Sequence, residues 1–155
     1  MKLNGYQIVS ESVNPLVFYH YLFPNDELTS KEILQTILKS GVIKPGTEIE
    51  GTEKDYEKRP EEHRRDKGIV YLTPHKLYIP NVYRFIIPES MLKDYKVQLR
   101  GKEYPKEFLQ KALNSIKEDS QELFERYKTR RFRGLIQILY QGTIPVHGLK
   151  YTVDK

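Results

Sequence analysis

The sequence is organised around the stretch VFYHYL at residues 17–22, an apolar and aromatic run that contains one histidine, His20. The length of this run, its β-branched and aromatic content, and the Asn-Pro and Pro-Asn pairs that flank it predict a buried β-strand. A histidine in such a strand needs hydrogen-bond partners, because an unpaired polar ring in an apolar environment destabilises the fold. His20 is therefore either a satisfied core residue or a ligand contact, and the strand alone favours the first interpretation.

A helix is predicted shortly after this strand. Thr29 and Glu32 have the spacing of a capping box, in which each side chain bonds the backbone N–H of the other residue. Apolar residues then recur on one face as far as Leu38, and Gly41 stands where a helix would end. The predicted order is a strand with a histidine, a short turn, a helix, and an apolar pair at residues 42–43.

Length and composition limit the class of protein. The chain has 155 residues, a formal net charge of +5 and no cysteine, so one domain without disulfides or thiolate chemistry is expected. The four histidines show no metal-ligand spacing, and we expect no metal. With no leader and no long apolar run, we expect no membrane partner and a cytoplasmic protein, or one delivered into the cytoplasm of a target cell. The charged residues 48–67 predict a solvated loop.

Two further strands carry polar residues of interest. Residues 68–74, GIVYLTP, predict a strand that contains Tyr71 and ends after Thr73, because a proline cannot continue a central ladder. Further strands are predicted from Tyr83 to residue 88 and over residues 96–100. Residues 101–104 are expected to turn the chain, and Pro105 to open a helix.

The last predicted strand covers residues 135–140, LIQILY, and contains Gln137. Before it lies the basic and aromatic run RYKTRRFR at residues 126–133, which includes Arg130, Arg131 and Arg133. Positive charge interleaved with rings suits phosphate contacts and base stacking, and it is equally common in an ordinary solvated loop.

These motifs resemble the ADP-ribosyltransferase superfamily in its small bacterial and phage members. Such proteins begin with a Tyr-His-Tyr-Thr type strand, a helix ending in Leu-x-Ser-Gly, and an Ile-x-Pro, which are similar to residues 19–22, 38–41 and 43–45 here. A Gly-x-Tyr-Leu-Thr strand resembles residues 68–73, and Glu-Ile-Leu-Val-x-Gly-x-Ile-Pro resembles residues 137–145. The resemblance implies an α+β fold, in which two small packed β-sheets form a split sandwich around an NAD cleft with peripheral helices, as a single domain over residues 1–155.

The resemblance also implies roles for individual residues. His20 would bond a ribose hydroxyl of NAD, the backbone of Tyr21 would hold the nicotinamide carboxamide, and Tyr71 would stack on the nicotinamide ring. Thr73 and Tyr83 would contribute to the same cofactor pocket. The basic loop would bind the acceptor, which is a protein or a nucleic acid, through three arginines: Arg130, Arg131 and Arg133.

The sequence departs from the family pattern at two positions. Leu22 replaces a small hydroxyl residue, and Gln137 stands where the catalytic glutamate is expected. Glutamine keeps a hydrogen bond but supplies no negative charge opposite the cation that develops as nicotinamide leaves, which should cost orders of magnitude in rate.

Several functions stay open. The first is an NAD-dependent ADP-ribosyltransferase in which His20, Tyr71 and Gln137 form the catalytic site. The second is a catalytically weak or inactive module of the same fold that binds NAD or ADP-ribose, and Gln137 is its best support. A basic nucleic-acid-binding domain is a third interpretation. A fourth, RNA 2′-phosphotransfer, has only His20 in its favour.

Overall fold

The computed structural model describes residues 16–45, 68–127 and 132–155. The predicted charged loop at residues 48–67 lies outside the described residues. So do two of the three predicted acceptor-binding arginines, Arg130 and Arg131.

Within the described residues the chain forms nine strands, three α-helices and two short 3-10 helices. The strands are β1 Val17–Tyr21, β2 Val42–Ile43, β3 Ile69–Leu72, β4 Tyr83–Pro88, β5 Lys96–Leu99, β6 Lys102–Pro105, β7 Gln137–Gln141, β8 Ile144–Pro145 and β9 Lys150–Val153. The α-helices are α1 Ser30–Ser40, α2 Leu109–Ser115 and α3 Ser120–Arg126, and the 3-10 helices are Glu89–Met91 and Lys106–Phe108. None of the helices in these residues is long and apolar enough to cross a bilayer.

The strands form antiparallel sheets with the orders β1-β4-β9, β3-β7-β5-β6 and β2-β8. This arrangement confirms the expected α+β class. It differs from the expectation of two sheets, because residues 42–43 pair with residues 144–145 as a third, two-stranded sheet within the described part of the chain. The short pair fastens the chain after α1 to the chain after β7.

The main core lies on one face of each larger sheet. Strand alternation places Phe18 of β1 and Phe85 of β4 on this face, together with Leu72 of β3 and Ile138 of β7, and all four are at most 1% exposed. A smaller apolar cluster on the other side of β1 contains Tyr21. The remaining buried members of that cluster are Leu77, Val82, Leu123 and Leu135.

Helix α1 begins and ends as the sequence predicts. The Thr29 side chain accepts a hydrogen bond from the Glu32 N–H at 3.2 Å, and the Glu32 carboxylate accepts one from the Thr29 N–H at 2.9 Å. At the other end Gly41 adopts φ 84°, a left-handed conformation that a glycine enters without steric penalty. The apolar face of α1 packs on the main core through Ile33, Leu34 and Ile37.

The chain between β5 and α2 differs from the prediction. Residues 102–105 form strand β6 rather than a turn, and α2 begins at Leu109 rather than at Pro105. The turn is confined to Arg100 and Gly101, whose φ values of 53° and 79° give the two-residue hairpin connection that matches strand twist. Pro105 fits the end of β6 because β6 is an edge strand, where a missing backbone donor is tolerated.

The capping box generates a prediction about stability. Thr29→Ala should lower the free energy of unfolding by about 1 kcal/mol, because one backbone donor at the start of α1 loses its partner. Urea denaturation measures this difference in the free energy of unfolding, provided that the m-value is the same for the variant and the wild type. Thr36→Ala is the matched control in the same helix, since its hydroxyl only bonds the Glu32 carbonyl within the helix, and the change should be within about 0.5 kcal/mol. Equal losses in the two variants would contradict the capping role.

Candidate functional site

The two larger sheets meet at the edge strands β1 and β3. The backbones of Tyr19 and Thr73 exchange two hydrogen bonds, with N···O distances of 2.7 and 2.9 Å. In a continued antiparallel ladder the next residues to bond in this way would be Tyr21 and Tyr71. Instead, His20 Nδ1 lies 2.8 Å from the Tyr71 carbonyl oxygen. The imidazole therefore takes the bond that the Tyr21 N–H would make, and the sheets separate at this point.

The hydrogen bond to Tyr71 fixes the tautomer of His20. A carbonyl oxygen only accepts, so Nδ1 carries the proton and Nε2 presents a lone pair. Burial lowers the pKa of His20, and the hydrogen bond to the Tyr71 carbonyl partly opposes this shift. The ring is consequently neutral near pH 7. Among the described residues Nε2 has no hydrogen-bond partner, so it is able to accept one from a ligand hydroxyl.

The backbone of Tyr21 faces the opening between β1 and β3. The Leu22 N–H donates to the Tyr83 carbonyl at 2.8 Å, whereas Tyr19 directs its backbone groups to Thr73, on the other side of β1. Because the direction alternates along an antiparallel strand, the N–H and C=O of Tyr21 point to the same side as those of Tyr19. No group in the described residues pairs with them there. One donor and one acceptor side by side match the two hydrogen-bonding groups of a primary carboxamide.

Tyr71 and Gln137 have their side chains on one face of the four-stranded sheet. Tyr71 is opposite Leu139 in the β3–β7 register, and Gln137 is two residues from Leu139 along β7. Such diagonal neighbours are about 7–8 Å apart. This face is the one opposite the main core, and both side chains are half-buried. The side chain of His20 leaves β1 on the same side as Phe18 and contacts the backbone of Tyr71.

A hydrogen-bonded group fixes the start of β7, where Gln137 lies. The buried Thr73 hydroxyl donates to the Ile136 carbonyl at 2.8 Å and accepts from the His75 N–H at 3.2 Å. His75 Nε2 in turn accepts a hydrogen bond from the Ile136 N–H at 3.0 Å. Burial lowers the pKa of His75 from its ordinary value of 6.5 to about 4. Thr73 therefore has a structural role through its hydroxyl, and its predicted contact with a cofactor stays a prediction.

The remaining predicted cofactor residues also make internal contacts. The Tyr21 hydroxyl accepts from the Leu77 N–H at 2.6 Å and lies 3.2 Å from the His75 carbonyl oxygen, so its phenol is used inside the protein. Tyr83 packs against the main core, on the same side of the sheet as His20, and its N–H donates to the Ser30 hydroxyl at 2.9 Å. The role predicted for Tyr21 involved its backbone N–H and C=O, and these groups still face the opening between β1 and β3.

Arg84 is a buried cation that the sequence analysis did not identify. Its Nη1 atom lies 2.7 Å from Asp154 Oδ2, and its guanidinium lies 6.0 and 5.9 Å from the ring centroids of Tyr19 and Tyr21. Only 5% of the Arg84 side chain is exposed. A buried cation is costly unless it is paired, so the carboxylate and the two rings stabilise β1 next to the split. No sequence signal indicated this pair, because the two residues are 70 positions apart.

A cavity of about 680 Å³ lies beside Gln137. Its walls include Arg133, the one predicted acceptor-binding arginine that the structure describes, and the turn residue Arg100. Gln98, Tyr127 and Phe132 also line it. The cavity reaches neither His20 nor Tyr71. The structure thus brings His20 to Tyr71 and Tyr71 to Gln137, while the cavity belongs to the Gln137 end of the site.

The part of the chain that the structure describes contains no candidate metal site. Nowhere in it do three or more His, Cys, Asp or Glu side chains come together in a way that could hold a metal ion. Comparisons with protein-family models, with curated proteins and with solved structures give no match. The geometry of the site therefore carries the functional argument.

The lowered pKa of His75 predicts how stability depends on pH. Between pH 6.5 and about 4 the unfolded chain protonates this imidazole while the folded protein keeps it neutral. The free energy of unfolding should therefore fall as the pH decreases through this window, by up to about 3 kcal/mol. His75→Gln should lose less stability over the same window, and chemical denaturation at several pH values measures the difference. The exposed His147, replaced by Gln, is the control and should retain the full pH dependence.

Proposed function

We propose that this protein is an NAD-dependent ADP-ribosyltransferase that binds the nicotinamide end of NAD at the split between β1 and β3. The observation that carries the proposal is the hydrogen bond from His20 to the Tyr71 carbonyl. It ends the ladder between the two sheets and leaves the N–H and C=O of Tyr21 facing the opening. The resemblance of the three sequence motifs to the superfamily assigns the same residues to the same end of NAD.

The residues at the split have the chemistry that this substrate needs. The Tyr21 N–H donates to the carboxamide oxygen, and the Tyr21 C=O accepts from the carboxamide NH₂. The Nε2 atom of the neutral His20 accepts a hydrogen bond from a ribose hydroxyl. Tyr71 offers a ring for the flat, cationic nicotinamide. In the reaction, the bond between nicotinamide and ribose C1′ breaks, and nicotinamide leaves with the bonding electrons. C1′ then bonds a nucleophile of the acceptor, which loses its proton.

Gln137 determines how fast this reaction can be. Its amide can hold the ribose by a hydrogen bond, but it places no negative charge opposite the cation that develops at C1′. In a low-dielectric site such a charge is worth several kcal/mol of transition-state stabilisation, on the order of a hundredfold or more in rate. The same residue favours a second candidate function, a module that binds NAD or ADP-ribose without transferring it.

Binding of NAD analogues tests the role of the Tyr21 backbone, which no substitution can remove. NAD should bind at least about tenfold more tightly than nicotinic acid adenine dinucleotide, which has a carboxylate in place of the carboxamide. A carboxylate cannot donate to the Tyr21 C=O and leaves that acceptor unpaired. Isothermal titration calorimetry measures both dissociation constants. His20→Ala should abolish the preference, because the Tyr21 N–H is then free to bond the Tyr71 carbonyl and close the ladder.

His147→Ala serves as the matched control for this measurement, since His147 is exposed and lies outside the three motifs. Its preference for NAD should equal that of the wild type. Equal affinity of the wild type for the two dinucleotides would contradict carboxamide recognition by Tyr21. If neither dinucleotide binds, the result would contradict both candidate functions, the transferase and the NAD-binding module.

Restoring the negative charge separates the two candidate functions. Gln137→Glu should raise the rate of nicotinamide release from NAD by about a hundredfold, because the carboxylate stabilises the developing cation. Chromatographic detection of free nicotinamide measures this rate. Gln141→Glu introduces the same charge on the same face of β7, about 13 Å further along the strand, and should leave the rate unchanged. If NAD binds but neither variant releases nicotinamide, the protein is a binding module.

A further inference from the structure

The cavity beside Gln137 is built from two separate parts of the chain. The turn between β5 and β6 supplies Arg100 on one side, and residues 132–135, immediately before β7, supply the other. Gln98 and Gln137 lie between them on neighbouring strands. At about 680 Å³ the cavity is within the size range of about 300–1,000 Å³ that is typical of ligand sites.

Arg100 occupies a position that favours another residue type. The hairpin turn requires φ above zero at both of its residues, which normally selects Asn-Gly. Arg100 adopts φ 53° there, and a left-handed conformation costs a residue other than glycine about 1–2 kcal/mol. Strained backbone conformations concentrate at functional sites. In this case the strain places an exposed cation at the wall of the cavity.

The opposite wall presents planar groups in fixed positions. The Arg133 guanidinium lies 5.5 Å from the ring centroid of Tyr127. Phe132 is packed edge-on against the rings of Phe23 and Phe124, with centroid distances of 6.0 and 5.9 Å. A guanidinium beside an aromatic ring presents positive charge next to a π-face, and a base can stack on either group.

Two amides complete the site. Gln98 and Gln137 are directly opposite each other in the β5–β7 register, so their side chains are neighbours on one face of the sheet. Neither side chain has a hydrogen-bond partner within the described residues. Each amide combines a donor and an acceptor, the pairing that suits the edge of a nucleobase.

A second cavity of about 240 Å³ adjoins the first and shares Arg100, Tyr127 and Gly134 with it. The second cavity adds Lys117. It also contains Glu118, whose carboxylate is 3.4 Å from the guanidinium of Arg126. The cations Arg133, Arg100 and Lys117 therefore line the two adjoining cavities.

We propose that the two adjoining cavities bind single-stranded nucleic acid. Arg100 and Arg133 bind phosphates, the surface formed by Arg133 and Tyr127 stacks a base, and the paired amides of Gln98 and Gln137 bond a base edge. A single strand fits because its base faces and edges are accessible, whereas those of a duplex are stacked and paired. This binding needs no NAD. That a bound strand would lie beside the transfer site is a consequence that rests on the proposed function.

The test measures fluorescence anisotropy of a labelled, mixed-sequence oligonucleotide of about ten nucleotides, without NAD, at about 50 and about 200 mM salt. The wild type should bind the single strand and lose affinity as salt increases. Arg100→Asn should weaken binding about fivefold or more and reduce the slope of log K against log salt by about 0.7, the value for one phosphate contact on a single strand. Asparagine is favoured at this turn position, so the variant should fold, and circular dichroism checks that it does.

Lys102→Asn is the matched control, because it removes the same charge from the same hairpin at an exposed position that does not line either cavity. Its affinity should stay within about twofold of the wild type. The proposal is overturned if no single strand binds, or if Arg100→Asn and Lys102→Asn have the same effect. It is also overturned if a duplex binds as tightly, or if free mononucleotides compete as well as the strand at equal nucleotide concentration. Because NAD is absent, none of these outcomes depends on the proposed transferase activity.

Discussion

The hydrogen bond from His20 Nδ1 to the Tyr71 carbonyl determines the architecture of the site. The bridge between Tyr19 and Thr73 brings β1 next to β3, so the three-stranded and four-stranded sheets would join into one continuous sheet if their ladder extended past these two residues. The imidazole of His20 donates to the Tyr71 carbonyl oxygen, which the Tyr21 N–H would need as its acceptor if the ladder continued. An opening therefore forms where a sheet would otherwise close, and the site requires no separate insertion to create it.

The opening depends on groups that fix the strands on either side of it. On one side, Arg84 is held by Asp154 and lies against the tyrosines of β1, so a cation that would be costly in isolation stabilises that strand. On the other side, Thr73 and His75 both bond the backbone of Ile136, immediately before Gln137. Gln137 and the opening at His20 are thus positioned by different networks that share the Tyr19–Thr73 link.

The site has two ends with different character. At the split, a neutral imidazole and the backbone groups of Tyr21, which have no partner among the described residues, suit an uncharged amide and ribose hydroxyls. At the Gln137 end, two arginines, aromatic rings and two amides line a larger cavity. Gln137 belongs to the cavity and shares a sheet face with Tyr71, so it is the residue at which the two ends meet. Under the two proposals, its neutral amide would lower the rate of cation formation at C1′ and could bond either ligand.

The resemblance of the motifs to a known superfamily implied the α+β class. The sequence by itself determined the local elements, which are the capped helix α1 and the strands around His20, Tyr71 and Gln137. These follow from signals that act over a few residues, such as caps and periodicity. Tertiary structure decided which side chains meet, because His20 and Tyr71 are 51 residues apart and His75 and Ile136 are 61 apart. It also decided β6 and the strained turn at Arg100, where pairing with β5 overrides the preference of an isolated arginine. The contacts of His20 and His75 depend on packing between distant segments, and no local pattern encodes them.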